Sequence, residues 1–515
     1  AKATVDSEQV FADAKELLKT MIRNACVNDG TNCNEEKNIA VVESYLKKRG
    51  IESQRYEMTK GRPNLLASFG TEGTTVMFGP SHVDVVPAEN ASDWRQDPFC
   101  GEEIKDEETG AVEIWGRGAI DMLQTVAIQT ALFAALAKDQ SFCAELEAKG
   151  GMLKLGIVCD EEAGGAHGAG FVCRAHWGAW RADYTLGEVG GAVLPGTTKY
   201  LMGMGEKGML GITVVAEGRA GHGSAPLNAD NALVKAANIV SRLHAHQPVV
   251  QISDSWCRFV AAQERGWLKT SLMTSAWTLP AITRRLAASS DMGTRKIAAL
   301  AQSLTQMTIS PNHVTGTEKA NVVPGRAAVE VDVRGLPGQT YADVWAEMAR
   351  CFGPLRALAP AELRSQYGGN LPDYLEGREN VVVRVLESDP KIKLFASRGL
   401  GGGEDDPFAG GNASSFDTPL WHAMEESARE LMGEETQLVP LLLPGGTDAR
   451  FYRLHPAGGT RGSYGAALFH PSEPFGEIMA RFHGADERIN VESIRLTANF
   501  YERSIRKLFS AAEQV

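Results

Sequence analysis

Residues 74–87 read TTVMFGPSHVDVVP, an apolar run that leads directly into a histidine and an aspartate. The segment Thr75–Phe78 predicts a buried strand, because short apolar runs with β-branched and aromatic residues are typical of strands. A second apolar run, Met152–Cys159, leads in the same way into Asp-Glu-Glu, and Leu123–Leu136 between them predicts a helix. Strands that alternate with helices indicate an α/β sheet, in which ligands bind beyond the carboxyl ends of the strands.

Histidine and carboxylate side chains recur along the chain in an order that predicts a two-metal site. The members of this set are His82, Asp84, Asp121, Glu161, Glu162, Glu188 and His483. Histidine and carboxylate are ligands that zinc and similar metals accept. Two metals that share one carboxylate can turn water into a nucleophile at neutral pH, so the order predicts a hydrolytic reaction.

Several members of the set also have an ordinary structural interpretation. Asp84 can bind the far ring nitrogen of His82 and fix its tautomer, but such pairs are more often surface or core contacts. Asp121 can equally cap the helix that follows it. Neighbouring side chains of a strand point in opposite directions, so one of Glu161 and Glu162 can ligate a metal while the other acts as general base. A solvated acidic turn is the alternative for this pair.

Two further residues are weak candidates when they are considered alone. Glu188 can be an ordinary loop acid, and His222, in a glycine-rich loop, an ordinary turn histidine. The functional interpretation of His222 is a donor that stabilises a developing oxyanion. Because His222 is distant in sequence from the metal set, that role requires a domain or a subunit to close over the site.

Length and charge limit the classes of protein and partner. A chain of 515 residues is too long for one ordinary core, so two or more domains are expected. The net charge of -12 argues against nucleic acid as a partner. No apolar run approaches the roughly 18 residues that span a bilayer, so no membrane partner is expected. The start at Ala1, without Met or a leader, leaves the compartment open: cytoplasmic, or exported after leader removal.

The pattern of elements predicts a catalytic domain in two parts with a second domain inserted between them. Residues 1–206 and 401–515 are expected to form the catalytic domain, and residues 207–400 an inserted α+β domain. Within the insert, Met209–Glu217 predicts a strand, and residues 247–312 are expected to be mainly helical and to enlarge the domain.

Residues typical of loops and helix ends, and two cysteines, give further local predictions. Residues 398–411 predict a flexible loop, because their acidic residues argue against a phosphate-binding glycine motif. Thr418, Pro419 and Gly433 predict the start and the end of a helix. A disulfide between Cys26 and Cys33 would close a small loop, but two free thiols are the favoured interpretation.

The order of these motifs resembles the co-catalytic zinc metallopeptidase and amidohydrolase family of aminoacylases, carboxypeptidase G, yeast carboxypeptidase S and succinyl-diaminopimelate desuccinylase. The matching pieces are SHVDVVP at 81–87, WGRGAIDM at 115–122, DEE at 160–162, GHGSAP at 221–226, NVVP at 321–324, DVRGLPG at 332–338, GGTDAR at 445–450 and HGADE at 483–487. Each piece is modest alone, but together they cover the chain nearly end to end. The resemblance implies a zinc-peptidase-like catalytic domain with a mixed central sheet, plus an inserted α+β lid and dimerisation domain.

The resemblance also implies two sets of metal ligands. One zinc would be held by His82, Asp121 and Glu188, and the other by Asp121, Glu162 and His483. Co²⁺ and Mn²⁺ are possible substitutes, since sites of histidine and carboxylate accept several metals.

Roles in catalysis and substrate binding are implied in the same way. Glu161 would be the general base, and His222 would bind the scissile carbonyl oxygen in the partner subunit's site, because the family's lid domain also dimerises. The positions that usually bind the substrate carboxylate match Asn321, Arg334, Gly446 and Thr447.

Two features depart from many relatives, and one family feature is expected to recur. Leu123 stands where many relatives have lysine, and the enlargement at 247–312 looks most like the carboxypeptidase S branch. The peptide bond between Asp121 and Met122 is expected to be cis, as it often is in the family.

The sequence therefore predicts a di-zinc hydrolase that cleaves an amide or peptide bond next to a free carboxylate. Short peptides and N-acyl amino acids are the expected substrates, and a homodimer formed through the lid is the expected assembly. A non-catalytic binding protein on the same scaffold is one alternative, although all five ligands and Glu161 are present. A two-metal phosphoesterase is the other, but it would normally need more basic residues than Arg334 and Arg450.

Overall fold

The computed structural model describes residues 5–510 apart from 108, 264–265, 317–318, 369–372, 376–380, 398–403 and 474. Its helices are α1 (Ser7–Arg23), α2 (Glu36–Lys48), α3 (Leu123–Leu136), α4 (Gln140–Ala148), α5 (Ala169–Trp180), α6 (Ala232–Ala245), α7 (Asp254–Ala261), α8 (Trp267–Met273), α9 (Leu279–Ala287), α10 (Met292–Thr305), α11 (Tyr341–Phe352), α12 (Pro360–Gln366), α13 (Pro419–Met432), α14 (Ala449–Arg453), α15 (Phe475–Arg481) and α16 (Val491–Ser510). None of the helices in this part of the chain has the length and apolar composition of a bilayer-spanning segment.

The strands fall into two large sheets and two small ones. They are β1 (Gln54–Glu57), β2 (Pro63–Gly70), β3 (Thr74–His82), β4 (Glu102–Lys105), β5 (Val112–Trp115), β6 (Gly151–Val158), β7 (Tyr184–Gly187), β8 (Gly190–Val193), β9 (Lys199–Glu206), β10 (Gly208–Met209), β11 (Ile212–Glu217), β12 (Gly221–His222), β13 (Thr308–Thr315), β14 (Val322–Val323), β15 (Arg326–Gly335), β16 (Leu355–Leu358), β17 (Val383–Leu386), β18 (Asp389–Ala396), β19 (Asn412–Ala413), β20 (Gln437–Leu443), β21 (Gly462–Gly465) and β22 (Arg488–Asn490).

A 10-stranded mixed sheet forms the larger core. Its order is β1-β2-β6-β3-β7-β21-β9-β19, with β8 and β20 beside β9. The central pairs β6–β3, β3–β7 and β7–β21 are parallel, so their carboxyl ends lie at one edge of the sheet. Residues of β3 that point to either face are buried, which explains why this strand is a continuous apolar run rather than an alternating one. The mixed sheet confirms the predicted α/β class.

Helix α3 is the central buried helix of this core and has the bounds predicted from the sequence. Nearly all of its side chains are buried, and α1 and α16 pack against it. A helix that is apolar all round is typical of one covered on every side. Gln129 is one of its few buried polar residues; it accepts from Ser81 Oγ at 2.7 Å and donates to the Leu186 carbonyl at 2.8 Å, so its amide is satisfied.

A seven-stranded sheet lies within residues 208–396. Its order is β10-β15-β11-β18-β17-β16, with β13 beside β15, and all of these pairs are antiparallel. The core that it forms with α6 and α11 contains alternating valines of β15, among them Val329, Val331 and Val333. An antiparallel sheet with packed helices is an α+β arrangement. The domain boundaries at 206/207 and 400/401 stay a prediction.

One prediction in this region needs correction. The strand predicted over Met209–Glu217 is interrupted at residues 210–211, between β10 and β11. The Gly211 carbonyl at this break accepts from Ser397 N and from the Tyr341 hydroxyl. Residues 247–312 are mainly helical, as predicted, with α7–α10 among them, and the strand β13 begins three residues after α10 ends at Thr305. Residues 308–315 form a strand because they pair with β15, and this tertiary contact cannot be read from the local sequence.

Two other local predictions are confirmed, and a third lies partly outside the described residues. Helix α13 begins at Pro419, the side chain of Thr418 accepts from Trp421 N, and Gly433 ends the helix, as predicted. Cys26 and Cys33 are both free thiols. Residues 398–403 of the predicted flexible loop lie outside the described residues. In the remainder of that loop, Asp406 accepts from Phe408 N at 3.0 Å.

Truncation of a buried methionine should be far more costly than truncation of an exposed one. Met424 in α13 is fully buried, whereas Met479 in α15 is 50% exposed. We expect Met424→Ala to lower the free energy of unfolding by about 2–5 kcal/mol, and Met479→Ala to lower it by less than about 1 kcal/mol. Urea unfolding followed by tryptophan fluorescence measures both. Equal losses would contradict the assignment of Met424 to the core.

Candidate metal centre

Three neighbouring strand ends place charged side chains at one edge of the larger sheet. His82 is the last residue of β3, and the parallel register pairs it with Val158, the last residue of β6. A short 3-10 turn, Glu161–Ala163, begins just beyond β6. Glu188 directly follows β7, which pairs with the other side of β3. The parallel topology therefore gathers these side chains, although they are far apart in sequence.

Asp121 lies between two imidazole rings. Nε2 of His82 is 3.3 Å from Oδ1 of Asp121, and Nε2 of His483 is 3.1 Å from Oδ2. The same nitrogen of His82 is 3.4 Å from Oε2 of Glu188, and that of His483 is 3.3 Å from Oε2 of Glu162. Each histidine thus faces Asp121 and one glutamate, the same grouping as the two ligand sets that the resemblance implied.

The chemistry of this cluster fits the binding of cations. Nε2 of His82, Oε1 of Glu162 and Oε1 of Glu188 are buried and have no hydrogen-bond partner among the described residues. Ligand atoms of His82, Asp121 and Glu162 lie within 4.8 Å of one another, and so do those of His82, Glu161 and Glu188. Unpartnered buried polar atoms are costly, and this donor set of imidazole and carboxylate suits zinc and similar divalent ions.

Crowding shifts the pKa of several groups in the cluster. Burial raises the pKa of Glu188 to about 7, and the neighbouring His82 offsets part of this effect. Burial and the charge of Glu188 raise the pKa of Glu161 well above its usual range. Contacts with Asp121 and Glu162 raise the pKa of His483 to about 10. Without a metal, the cluster therefore holds protons that a divalent cation would displace.

Glu487 holds the main chain at Asp121 and was not predicted as a site residue. Its Oε1 accepts from the N–H groups of Ile120 at 2.8 Å and Asp121 at 3.2 Å, and its Oε2 accepts from Nη1 of Arg117 at 2.6 Å. The peptide bond between Asp121 and Met122 is cis, as the resemblance implied. Glu487 closes the HGADE motif, so its motif was the only available signal.

Asp84 contacts the cluster in a way that differs from the expected one. Nδ1 of His82 is 2.9 Å from the main-chain oxygen of Asp84 but 3.6 Å from its carboxylate. The carboxylate instead accepts from the N–H groups of Glu161 at 3.3 Å and Glu162 at 3.2 Å. The main chain of Asp84 therefore orients the imidazole, and its side chain holds the acidic turn.

His222 and Asn321 lie together on a separate short ladder. The strands β12 and β14 pair His222 with Val322, and the N–H of Gly223 donates to the Asn321 carbonyl at 2.7 Å. The side chain of His222 is exposed, and its Nδ1 is 2.8 Å from Oγ of Ser224. Among the described residues, the hydrogen bonds of this imidazole stay within its own loop. Within the described part of the chain, no contact therefore joins this imidazole to the metal cluster.

The remaining predicted carboxylate-binding residues lie around Met209. Arg334 on β15 pairs in register with Met209 on β10. A Cβ atom built on Gly446 would lie 3.3 Å from the Met209 methyl group. The N–H of Thr447 donates to the buried carboxylate of Glu206, which the sequence analysis did not single out. The structure thus brings Arg334 and the Gly446–Thr447 loop into one region.

Asp448 and Arg450 connect that loop to the acidic turn. Nη2 of Arg450 donates to the Gly164 carbonyl at 2.7 Å, directly beyond the turn that carries Glu161. Oδ1 of Asp448 would be 2.5 Å from a Cβ atom on Gly165, which has a φ of +73°, so only glycine fits there. Burial raises the pKa of Asp448 well above its usual range. Membership in the GGTDAR motif was the signal for both residues.

Comparisons with known proteins agree with this arrangement. The model of peptidase family M20/M25/M40 matches residues 80–507. A succinyl-diaminopimelate desuccinylase of Cereibacter sphaeroides (strain ATCC 17025 / ATH 2.4.3) is 33% identical over 211 residues, which are 41% of this chain and 51% of that protein. The chain thus spans about half the length of this relative. A desuccinylase of Caulobacter sp. (strain K31) is 24% identical over 508 residues, 98% of both chains.

Solved structures show a similar fold. The M20 family metallo-carboxypeptidase Sso-CP2 from Sulfolobus solfataricus has a TM-score of 0.62 at 18% identity, over 96% of this chain and 99% of that one. Human carnosine dipeptidase 1 has a TM-score of 0.55 at 15% identity, over 98% and 100%. At these identities the likeness concerns the fold. Because the family model covers most of the sequence, including every candidate ligand, this chain belongs to peptidase family M20/M25/M40.

Proposed function

We propose that this protein is a di-zinc hydrolase that cleaves an amide or peptide bond next to a free carboxylate. The observation that carries the proposal is the position of Asp121, whose two carboxylate oxygens each face one imidazole. In this proposal one zinc is held by His82, Asp121 and Glu188, and the other by Asp121, Glu162 and His483. Relatives named as desuccinylase, carboxypeptidase and dipeptidase all act on bonds of this chemical class.

Glu161 is the proposed general base. Its Oε2 lies 4.0 Å from Nε2 of His82, and its side chain is 15% exposed, so it borders the ligands while remaining accessible. Burial and the charge of Glu188 raise the pKa of Glu161, and burial of this kind is how enzymes tune carboxylates that transfer protons. When bound, two zinc ions lower the pKa of water and polarise a carbonyl group. Glu161 would take the proton of the attacking water and deliver it to the leaving amine.

The proposed substrate carboxylate would lie near Arg334 and the Gly446–Thr447 loop. The forked guanidinium of Arg334 suits a carboxylate, which it can bind through two N–H groups. Because Glu206 already accepts from the N–H of Thr447, the main-chain donor of this loop would be Gly446. Short peptides and N-acyl amino acids are the proposed substrates.

His222 is proposed to act in the active site of a partner subunit. Its imidazole is exposed, and among the described residues no contact joins it to the cluster of its own chain, as expected of a residue that completes a second copy. In this role it would donate to the oxyanion that develops on the scissile carbonyl. The proposal therefore includes a homodimer formed through the lid.

Replacement of Glu161 tests the function directly. We expect zinc-loaded wild-type protein to hydrolyse members of a panel of dipeptides and N-acyl amino acids, but not a model phosphoester. Glu161→Gln should lower kcat by about 10²- to 10⁴-fold, because the amide cannot accept the proton. Glu89→Gln, in the exposed loop after Pro87, is the control and should keep full activity. Full activity of Glu161→Gln with unchanged zinc content would refute the assignment.

Zinc binding should release protons. In the metal-free protein the pKa of His483 is about 10, so its ring carries a proton at pH 7.5 that must leave before Nε2 can bind zinc. The contacts of protonated His483 with Asp121 and Glu162 stabilise the metal-free fold. This contribution is fully present below about pH 6.5 and is lost as the pH rises through about 10. Calorimetric titrations in buffers of different ionisation enthalpy count the protons. His483→Ala should release about one proton fewer at pH 7.5, and an unchanged count would contradict the assignment.

Mixed dimers test the role of His222 across subunits. A dimer that combines Glu161→Gln with His222→Ala keeps one site with both native groups if His222 acts in the partner subunit's site. When the two inactive variants are mixed in equal amounts and exchange subunits, half of the dimers should be mixed and each should have one native site. The mixture should then recover about a quarter of wild-type activity. A mixture of Glu161→Gln with the double variant is the control and should stay inactive. No recovery in a verified mixed dimer would show that His222 does not act across the interface.

A further inference from the structure

Asn28 contacts Asp84, which holds the acidic turn of the metal cluster. Asn28 itself lies in a part of the chain that the family match does not include. It lies between α1 and α2, whereas the match begins at residue 80. Val27 forms a parallel bridge with Val85, and the N–H of Asn28 donates to the Val85 carbonyl at 2.9 Å. Its side chain is 4% exposed. This segment therefore lies against the HVD motif that supplies His82.

The amide nitrogen of Asn28 lies between two buried carboxylates. Its Nδ2 is 2.9 Å from Oδ2 of Asp84 and 3.4 Å from Oδ1 of Asp160. Asp84 follows His82 at the end of β3, and Asp160 follows β6 and directly precedes Glu161. One side-chain amide therefore connects the ends of the two strands that carry His82, Glu161 and Glu162.

The two carboxylates differ in the partners that compensate their charge. Asp160 pairs with Arg62 at 2.7 Å, and its second oxygen accepts from His167 N at 2.9 Å. No lysine or arginine among the described residues pairs with Asp84, which is fully buried. Its carboxylate depends on Asn28 and on the N–H groups of the acidic turn. A buried carboxylate that loses such a donor rotates or shifts, because its desolvation is costly.

We propose that Asn28 is a positioning residue that fixes Asp84 relative to Asp160 and so sets the orientation of Glu161 relative to His82. It acts through Asp84, whose carboxylate accepts from the N–H of Glu161 and whose carbonyl orients His82. This inference rests on the proposed function, because Glu161 matters here as the base. Loss of the amide should misplace the base and reduce kcat, while substrate binding near Arg334 stays intact.

The substitution Asn28→Asp replaces the donor with a charged acceptor. Aspartate keeps the shape of the side chain and the oxygen that accepts from Gly30 N at 3.0 Å, but it places a third carboxylate against Asp84 and Asp160. We expect kcat to fall about 10- to 100-fold, with KM within about threefold of wild type, as for outer partners of other metal sites. Asn28→Ala removes the donor without adding charge and should have a smaller effect. Zinc content is measured for each variant to confirm equal loading.

Asn38→Asp is the matched control. Asn38 is fully buried, and its Nδ2 donates at 3.1 Å to the carbonyl of Val83, the residue between His82 and Asp84. The same substitution there disturbs a neighbouring donor without facing either carboxylate. We expect Asn38→Asp to lose stability but to keep kcat. Equal losses of kcat in the two aspartate variants, or an unchanged kcat in Asn28→Asp, would overturn the inference.

A crystal structure of zinc-loaded Asn28→Asp separates this inference from the proposed function. We expect the Asp84 carboxylate to turn away from Asp160 and the turn at Glu161 to shift with it. If both keep their wild-type positions, the inference fails whatever the activity. If wild-type protein hydrolyses no member of the substrate panel, the proposed function fails, and the position of the turn still decides the role of Asn28.

Discussion

Repulsion between carboxylates at one edge of the larger sheet is the constraint on which the rest of this structure depends. Asp121, Glu161, Glu162 and Glu188 share a small volume with two imidazoles, and burial deprives them of water. The fold withstands this crowding because buried partners hold the main chain around it. Glu487 with Arg117 fixes the segment at Asp121, and the side chain of Asp84 fixes the acidic turn. The arrangement is costly for the protein alone and well suited to a pair of cations.

One of the chain's crossings between the two large sheets lies beside the candidate substrate loop. The chain leaves β9 of the larger sheet and enters β10 of the smaller one at Lys207. The buried ammonium of Lys207 donates to the Gln306 carbonyl at 2.8 Å, just beyond the last helix of the enlargement. Burial and the charge of Arg334 lower the pKa of Lys207 to about 7. The neighbouring Glu206 holds Thr447, so this crossing joins the candidate substrate loop to the insert.

The residues that sequence could identify are those whose signal is local. His82, Glu161 and Glu162 follow apolar runs, and the carboxyl ends of parallel strands meet at one edge, so their convergence was predictable. Asp121 and His483 joined the candidate set through the order of charged residues along the chain, but their assignment to particular metals needed the resemblance, because no periodicity connects them. The contacts that support the cluster could not be predicted from the sequence. The hold of Glu487 on Asp121 and the strand pairing of β13 both depend on distant partners that no sequence window contains.

The wide sequence separation of the two histidines has a consequence for biosynthesis. His82, Asp121 and Glu188 all leave the ribosome long before His483, which arrives with the final stretch that forms α16. The proposed ligand set around His82 can therefore assemble while the other still lacks its imidazole. A nascent or truncated chain would offer a cation one complete set and one partial set. The order of translation therefore sets the order in which the two proposed ligand sets become complete.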